Sequence, residues 1–267
     1  MSNMEQAGQL PAVRIKAQDG SQALIALYGG HLLSWKSGAG KERLFLSELS
    51  ALDGSAAIRG GVPVIFPQFG QRGNGQRHGF ARTATWRLAS HADGQPGIPA
   101  HAELHLNQDD LAPAVKADWP YAFELRLRFT LRADALSMAF NVRNTGQDDF
   151  SFAAALHTYY ALADFARTTL DGLAAPIAFS EFLDEIHPAT PALSLCQPAG
   201  QESLQLQQQG FNEWVVWNPG AANAAALLDM ADEEWRRFVC IEPARVDKQI
   251  LRAGGEWSGI HTVSSIP

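Results

Sequence analysis

Two arginine-bounded motifs stand close together in this chain, RGGVPVIFPQFG over residues 59–70 and RHGFAR over 77–82. Gly60 and Gly61 free the backbone beside Arg59, and Pro63 and Pro67 fix it around an apolar run. Gly79 then lets the chain come close again beside His78 and Arg82. Guanidinium forks held this way suit anionic oxygens, because their planar donors match carboxylate and phosphate geometry. A tight turn with solvated arginines is the simpler use of the same residues.

Three further residues have the right chemistry for proton transfer or polar binding. His157 lies in FSFAAALHTYY (150–160), where alternation places Ser151, Ala153, Ala155, His157 and Tyr159 on one face. The small residues leading to the histidine leave room for a neighbouring strand or for a ligand. Glu242 closes RFVCIE just before Pro243, on the face of Phe238 and Cys240. It is either a solvated strand end or a carboxylate aimed into a cleft, where apolar neighbours raise its pKa toward that of a general base. Asp184, in SEFLDEIHP, is fixed by Leu183 and Ile186 on either side. Read singly, each has an ordinary structural explanation.

Other signals carry less. His101, Glu103 and His105 share a strand face and reach metal-ligand types, but alternating polar residues mark a wet face, and no metal is expected. The glycines at 70, 73, 75 and 79 do not open a helix after a strand, so no dinucleotide or phosphate-loop fingerprint is present and no cofactor is expected. WNPG (217–220) offers an aromatic face or simply a strand ending in a turn. The acidic run 229–234 reads as a solvated turn.

Strands must position these groups. Phe123, Leu125, Leu127, Phe129 and Leu131 alternate with polar residues, and after a turn at 133–134 Leu136, Met138, Phe140 and Val142 continue the pattern. That predicts a long hairpin with one face buried. Similar strands are predicted at 13–17, 21–28, 31–36, 85–91, 100–106, 150–160, 204–208, 213–217, 224–228 and 237–242, with a hairpin loop at 92–99. Short helical turns are expected near 46–52 and 232–236. Many strands at short spacing without intervening helices imply an all-β fold, a large antiparallel sandwich or barrel with a few short helices. No linker or repeat interrupts it, so one domain over 1–267 is expected.

With 46% hydrophobic and 18% charged residues, the chain fills a sizeable core. A net charge of −7 disfavours nucleic acid and anionic membrane as partners, though local arginines still set the field for a small anion. Cys196 and Cys240 are too few for a disulfide framework and read as free thiols in a reducing compartment. No apolar leader or long apolar run occurs, so a soluble, cytoplasmic protein is expected, as a monomer.

Taken together, RGGVPVIFPQFG, RHGFAR, LHTYYAL, FLDEIH, VVWNP and FVCIEP resemble, in order, the hexose-6-phosphate mutarotases, the glucose-6-phosphate 1-epimerase branch of the aldose 1-epimerase superfamily. The resemblance spans residues 59–243 and implies a galactose-mutarotase-type β-sandwich. It implies His157 as general acid, Glu242 as general base, Arg59 and Arg82 as substrate-binding arginines, Asp184 as a sugar-binding acid, and His78 within the substrate loop. Relatives carry glutamine before His-Gly; this chain has Arg77 there, with Gln76 one place earlier, an extra positive charge that either strengthens phosphate binding or faces water. The partner implied is a phosphosugar whose α and β anomers interconvert by ring opening, without cofactor. Acid and base then need opposite protonation states near neutral pH, so a cleft that raises the histidine pKa is expected to help. A non-catalytic carbohydrate-binding sandwich, an epimerase of neutral aldoses, and a glycoside hydrolase, which needs two flanking carboxylates, are the competing readings.

Overall fold

Alternation decides the architecture. In the strands Phe123–Leu131 and Ala135–Asn144 every second residue is buried, and the two pair antiparallel from Phe123↔Asn144 to Leu131↔Leu136. A computed structural model of the protein describes residues 4–180, 182–198 and 201–266. Its strands form three antiparallel sheets, of four, six and nine strands, with two short α-helices, Pro113–Asp118 and Gly220–Ala224. The expected large antiparallel β-sandwich with a few short helices is what the chain forms.

The nine-stranded sheet runs in the order Ile177–Ala178, Thr169–Asp171, Ala192–Cys196, Ser203–Gln209, Glu256–Ile266, Ala135–Asn144, Phe123–Leu131, Ala100–Asn107 and Arg87–Ala92. The six-stranded sheet runs Leu183–Pro188, Glu213–Asn218, Phe238–Leu251, Phe150–Leu156 and Val64–Ile65, with Tyr159–Ala161 also paired to Phe238–Leu251. One continuous core joins them: Leu127, Phe129, Met138 and Phe140 from the larger sheet meet Phe152, Leu156, Trp214 and Ile241 from the smaller. Phe66, next to the cis Phe66–Pro67 bond, sits among the rings of Phe80, Phe123, Phe140 and Phe152. The first sheet, from Met4–Ala7 to His31–Lys36, adds Ile15, Ile25 and Trp35.

Several boundaries differ from the sequence reading. Residues 150–160 are not one strand: the register shifts between Phe152 and Ala154, the strand stops at Leu156, and pairing resumes at Tyr159. The expected strand at 224–228 is absent; Gly220–Ala224 is a helix, followed by turns that leave Leu228 fully exposed. The strand ending at Glu242 continues through Pro243 to Leu251. Near 46–52 there is only a turn, whereas Glu234–Arg237 does form a short 3-10 helix. The acidic run is only partly solvated: Asp232 and Glu233 are exposed, but Glu234 is buried and accepts from the Ser47 hydroxyl at 2.7 Å and the Glu48 amide at 3.1 Å. His105 and Glu103 bond to each other at 2.8 Å, with Arg128 on Glu103 at 2.9 Å, so that strand face is an ion-pair surface.

Two histidines tie the core together as neutral rings. His31 contacts the Gly60 carbonyl at 2.8 Å, and His261 bridges the Tyr160 hydroxyl at 2.7 Å and the Gln207 carbonyl at 2.8 Å. Burial pushes both down to about 4. Because the unfolded chain takes up these protons first, stability is intact above the ordinary histidine value and falls as pH drops toward 4. Each such histidine contributes about 1.4 kcal/mol per pH unit in that window. Of the stability difference between urea unfolding at pH 7 and at pH 5, these two should supply about 2–4 kcal/mol; a difference unchanged when both are replaced by glutamine would refute the neutral buried pair.

Candidate active site

The site is built on the face of the six-stranded sheet turned away from the main core. Register places Ala155 opposite Ile65 and Ala244, and Val215 opposite Glu242. Ile65, Ala155, Val215, Ala244 and Val246 form a small apolar floor of their own, with Phe69 against it. Asp184 pairs with Trp217 across the outer two strands, and Trp217 with Cys240. His157 lies just past the strand Phe150–Leu156, where its amide donates to the Pro63 carbonyl at 3.0 Å.

Over this floor lies a cleft of about 240 Å³ whose lining includes Arg59, Arg77, His78, Arg82, His157, Asp184 and Glu242. All seven residues singled out in the sequence thus meet in one place. A larger cavity of about 410 Å³, lined by Trp119, Tyr121 and Lys248, lies on the other side of the 68–79 loop and touches none of them. We take the smaller one as the site because the titratable groups converge there.

At its centre His157 Nε2 stands 3.3 Å from Glu242 Oε1. Glu242 is 1% exposed, so it is not a solvated strand end. Burial drives His157 well below its ordinary value, aided by the positive field of Arg59 and Arg82. Burial pushes Glu242 well above the carboxylate range, and the Asp184 charge adds to that. A cleft that raises the histidine pKa, which would help an acid, is not what the chain forms: burial in this cleft favours neutral forms of both partners. A neutral imidazole with a protonated carboxyl, and an imidazolium with a carboxylate, hold the same number of protons. They differ only by one transfer along the 3.3 Å contact.

The loop 68–79 brings His78 over this pair. His78 has φ of 63°, the one non-glycine residue with positive φ among the described residues. Its amide donates to the Gly70 carbonyl at 2.9 Å, while the Gly70 amide donates to His78 Nδ1 at 3.2 Å. Nδ1 is therefore an acceptor, and Nε2 carries the proton. Burial, with Arg82, Arg77 and Arg59 nearby, pushes His78 down to about 3, so it stays neutral. Gly79 must be glycine: at φ of 71°, a Cβ would collide with the Phe66 carbonyl.

The arginines divide into two kinds. Arg59 donates from Nε and Nη2 to Asp229 at 3.2 and 3.1 Å, and from Nη1 to the Tyr159 hydroxyl at 3.2 Å. Arg82 has no carboxylate partner among the described residues: Nη2 donates to the Arg77 carbonyl at 2.8 Å, and its buried Nε has no acceptor. Burial, with Arg59 and Arg77 close by, pushes Arg82 down to about 10. Arg77 is exposed at the mouth. Positive charge thus exceeds its local compensation at this end of the cleft, an arrangement that recruits an anion.

Sequence reasoning missed Asp229 and Tyr159. Tyr159 stands two residues from His157 in the same alternation but is given no role; Asp229 is read only as part of a solvated acidic run, because its partner Arg59 lies 170 residues earlier. Among the described residues no cluster of metal-ligating side chains occurs.

Comparison with known proteins places the fold first. A crystal structure of a "putative mutarotase" from Salmonella typhimurium superposes with a TM-score of 0.86 at 24% identity, covering 98% of this chain and 92% of that one. A galactose mutarotase related enzyme from Lactobacillus acidophilus gives 0.75 at 16% identity over 96% and 97%. The architecture is therefore the mutarotase-type antiparallel β-sandwich. The aldose 1-epimerase family model matches residues 11–209. A Cenchrus ciliaris protein named "Putative glucose-6-phosphate 1-epimerase" is 33% identical over 92% of this chain and 82% of its own length. One of the same name from Escherichia coli is 32% identical over 84% and 79%. The chain belongs to the aldose 1-epimerase family.

The 68–79 loop depends on one buried amide. Gln68 donates to the carbonyls of Gly70 and Gly75, both at 3.2 Å, and accepts from the Gly75 amide at 3.1 Å. Gln68→Met keeps the length and loses all three bonds, which should cost about 1–3 kcal/mol in thermal or urea unfolding. An unchanged unfolding midpoint would mean that the loop does not need this staple.

Proposed function

We propose that the protein is a hexose-6-phosphate mutarotase, with glucose 6-phosphate as the reference substrate. The observation that carries the reading is the buried His157–Glu242 contact of 3.3 Å beside two arginines, Arg77 and Arg82, that have no carboxylate partner among the described residues. The names borne by the relatives from Cenchrus ciliaris and Escherichia coli support it.

In the proposed reaction Glu242, as carboxylate, takes the proton of the C1 hydroxyl while His157, as imidazolium, gives one to the ring oxygen. The bond between C1 and the ring oxygen breaks, and C1 becomes a carbonyl carbon. Rotation about C1–C2 presents the other face. The C5 hydroxyl oxygen then attacks C1, His157 recovers its proton, and Glu242 returns its own to the new C1 hydroxyl. Ring opening converts the charged pair into the neutral pair, which is the form that burial favours. No redox change or cofactor enters the proton balance. The two groups act on oxygens bound to one carbon, so their contact distance suits the task.

The 6-phosphate would meet Arg82 and Arg77, with the charge of Arg59 behind them, and Asp184 would accept hydrogen bonds from sugar hydroxyls. His78 would offer its Nε2 proton from the roof of the cleft. A neutral aldose has no use for this excess of guanidinium charge, which is why the phosphosugar is preferred.

Two-dimensional exchange NMR of the anomeric protons tests the whole reading. Acceleration for glucose 6-phosphate but not glucose supports it; equal acceleration of both sugars removes the phosphate role. Binding without acceleration leaves a sugar-binding sandwich, and release of free sugar from a glycoside means hydrolysis instead. Glu242→Gln should lower turnover about 10²–10⁴-fold. Arg82→Ala should weaken phosphosugar affinity about ten- to a hundredfold with turnover largely kept. The alkaline limb of the rate profile reports loss of the pair's shared proton. Since Asp184 pushes Glu242 upward, Asp184→Asn should move that limb to lower pH; a limb that stays in place argues against Glu242 as its origin.

A further inference from the structure

Among the described residues no other residue hydrogen-bonds His157 at its second nitrogen. Nδ1 is buried and has no partner among the described residues. Imidazoles that move protons are ordinarily aimed by a carboxylate or carbonyl at that atom. Here the aim has to come from packing. The Tyr159 ring lies nearly parallel to the imidazole, with centroids 5.0 Å apart and planes at 14°. His78 and Trp217 meet the imidazole edge-on at 5.6 and 6.0 Å.

Tyr159 is itself fixed on two sides. Its ring packs against Phe238 at 5.0 Å and Phe45 at 6.4 Å. Its hydroxyl accepts from Arg59 Nη1 at 3.2 Å, and the other two guanidinium nitrogens are held by Asp229. A chain of direct contacts therefore runs from Asp229 through Arg59 and Tyr159 to the imidazole. Each link differs in kind: an ion pair, a charge-assisted hydrogen bond, then a stacked ring.

We infer that Tyr159 is the positioning residue for His157, and that Asp229 and Arg59 act on the imidazole through the Tyr159 hydroxyl. The inference rests on the reading that His157 transfers the proton. Stacking limits ring tilt, and the Arg59 bond stops the tyrosine from sliding along the imidazole. Together they do for His157 what a bond at Nδ1 does elsewhere.

Three variants test it: Tyr159→Leu, Tyr159→Phe and Asp229→Asn. Tyr159→Leu should lower kcat for anomeric exchange of glucose 6-phosphate at least about tenfold while KM moves less than about threefold. Tyr159→Phe keeps the ring but loses the Arg59 bond, so its kcat should fall about three- to fivefold, less than in Tyr159→Leu. The second readout needs no activity. With ¹⁵N-labelled histidine, long-range proton–nitrogen spectra should show one tautomer at His157 in the parent protein, a partly averaged pattern in Tyr159→Phe, and the strongest averaging in Tyr159→Leu. Parent-like turnover or nitrogen pattern in Tyr159→Leu overturns the inference, as does equal damage in Tyr159→Leu and Tyr159→Phe. If Tyr159→Leu does not fold, Asp229→Asn decides: it leaves the ring in place, loosens Arg59, and should shift the His157 pattern toward averaging. Unchanged His157 signals there break the chain from Asp229. Should the parent protein fail to accelerate anomeric exchange, the proposed activity falls, while the nitrogen spectra still report on the positioning.

Discussion

Everything at the site depends on burying an acid–base pair beside its own floor. His157 and Glu242 are removed from water by an apolar sheet face below and by the 68–79 loop above. Water exclusion drives both toward their uncharged forms, and only a transfer between them, or a ligand, restores charge. The loop, its glycines and the Gln68 staple are therefore part of the electrostatics as much as of the shape. A cleft open to solvent would let both groups return to their ordinary values, and the proposed coupling of proton position to ring opening would go with it.

The same burial explains how the positive end is organised. Three arginines in a small space repel one another, and the protein answers unequally. Arg59 is paired with Asp229 and tied into internal structure, whereas Arg82 and Arg77 have no carboxylate partner among the described residues. One cation is held by the scaffold, and under the proposed function the others would meet the phosphate. Sequence reading treated Arg59 and Arg82 as equals because nothing in either motif reveals a carboxylate from a distant turn.

Much of the fold was legible because period-two alternation survives wherever one sheet face is wet. The hairpin at 123–144 is the clearest case, with its register continuous from end to end. Alternation failed where both faces are covered or where the chain bends: 150–161 is broken by a bulge, and Glu242 was taken for an end because Pro243 follows, yet the strand runs on to Leu251. The strands Leu183–Pro188, Ala192–Cys196 and Glu256–Ile266 went unread, since charged and small residues dilute their pattern. The site residues were legible through motif resemblance, and their convergence on one cleft came from topology that no local window contains. Protonation was the least legible property, because it depends on burial that only the closed fold supplies.

The strand Glu256–Ile266 lies between Ser203–Gln209 and Ala135–Asn144, in the middle of the nine-stranded sheet. During synthesis the hairpins on one side of it, up to residue 144, and the strands on the other, from 169 to 209, emerge well before the strand that joins them. Until it arrives, each half exposes an unpaired edge with its backbone donors and acceptors free. Closing the sheet means threading a late strand between two early ones, a contact of high sequence separation that folds slowly. The cleft lies on the other sheet, which shares its core with this one. A nascent chain can therefore assemble hairpins early, but the rigid platform behind the His157–Glu242 pair forms late, and the unpaired edges are the interval's hazard.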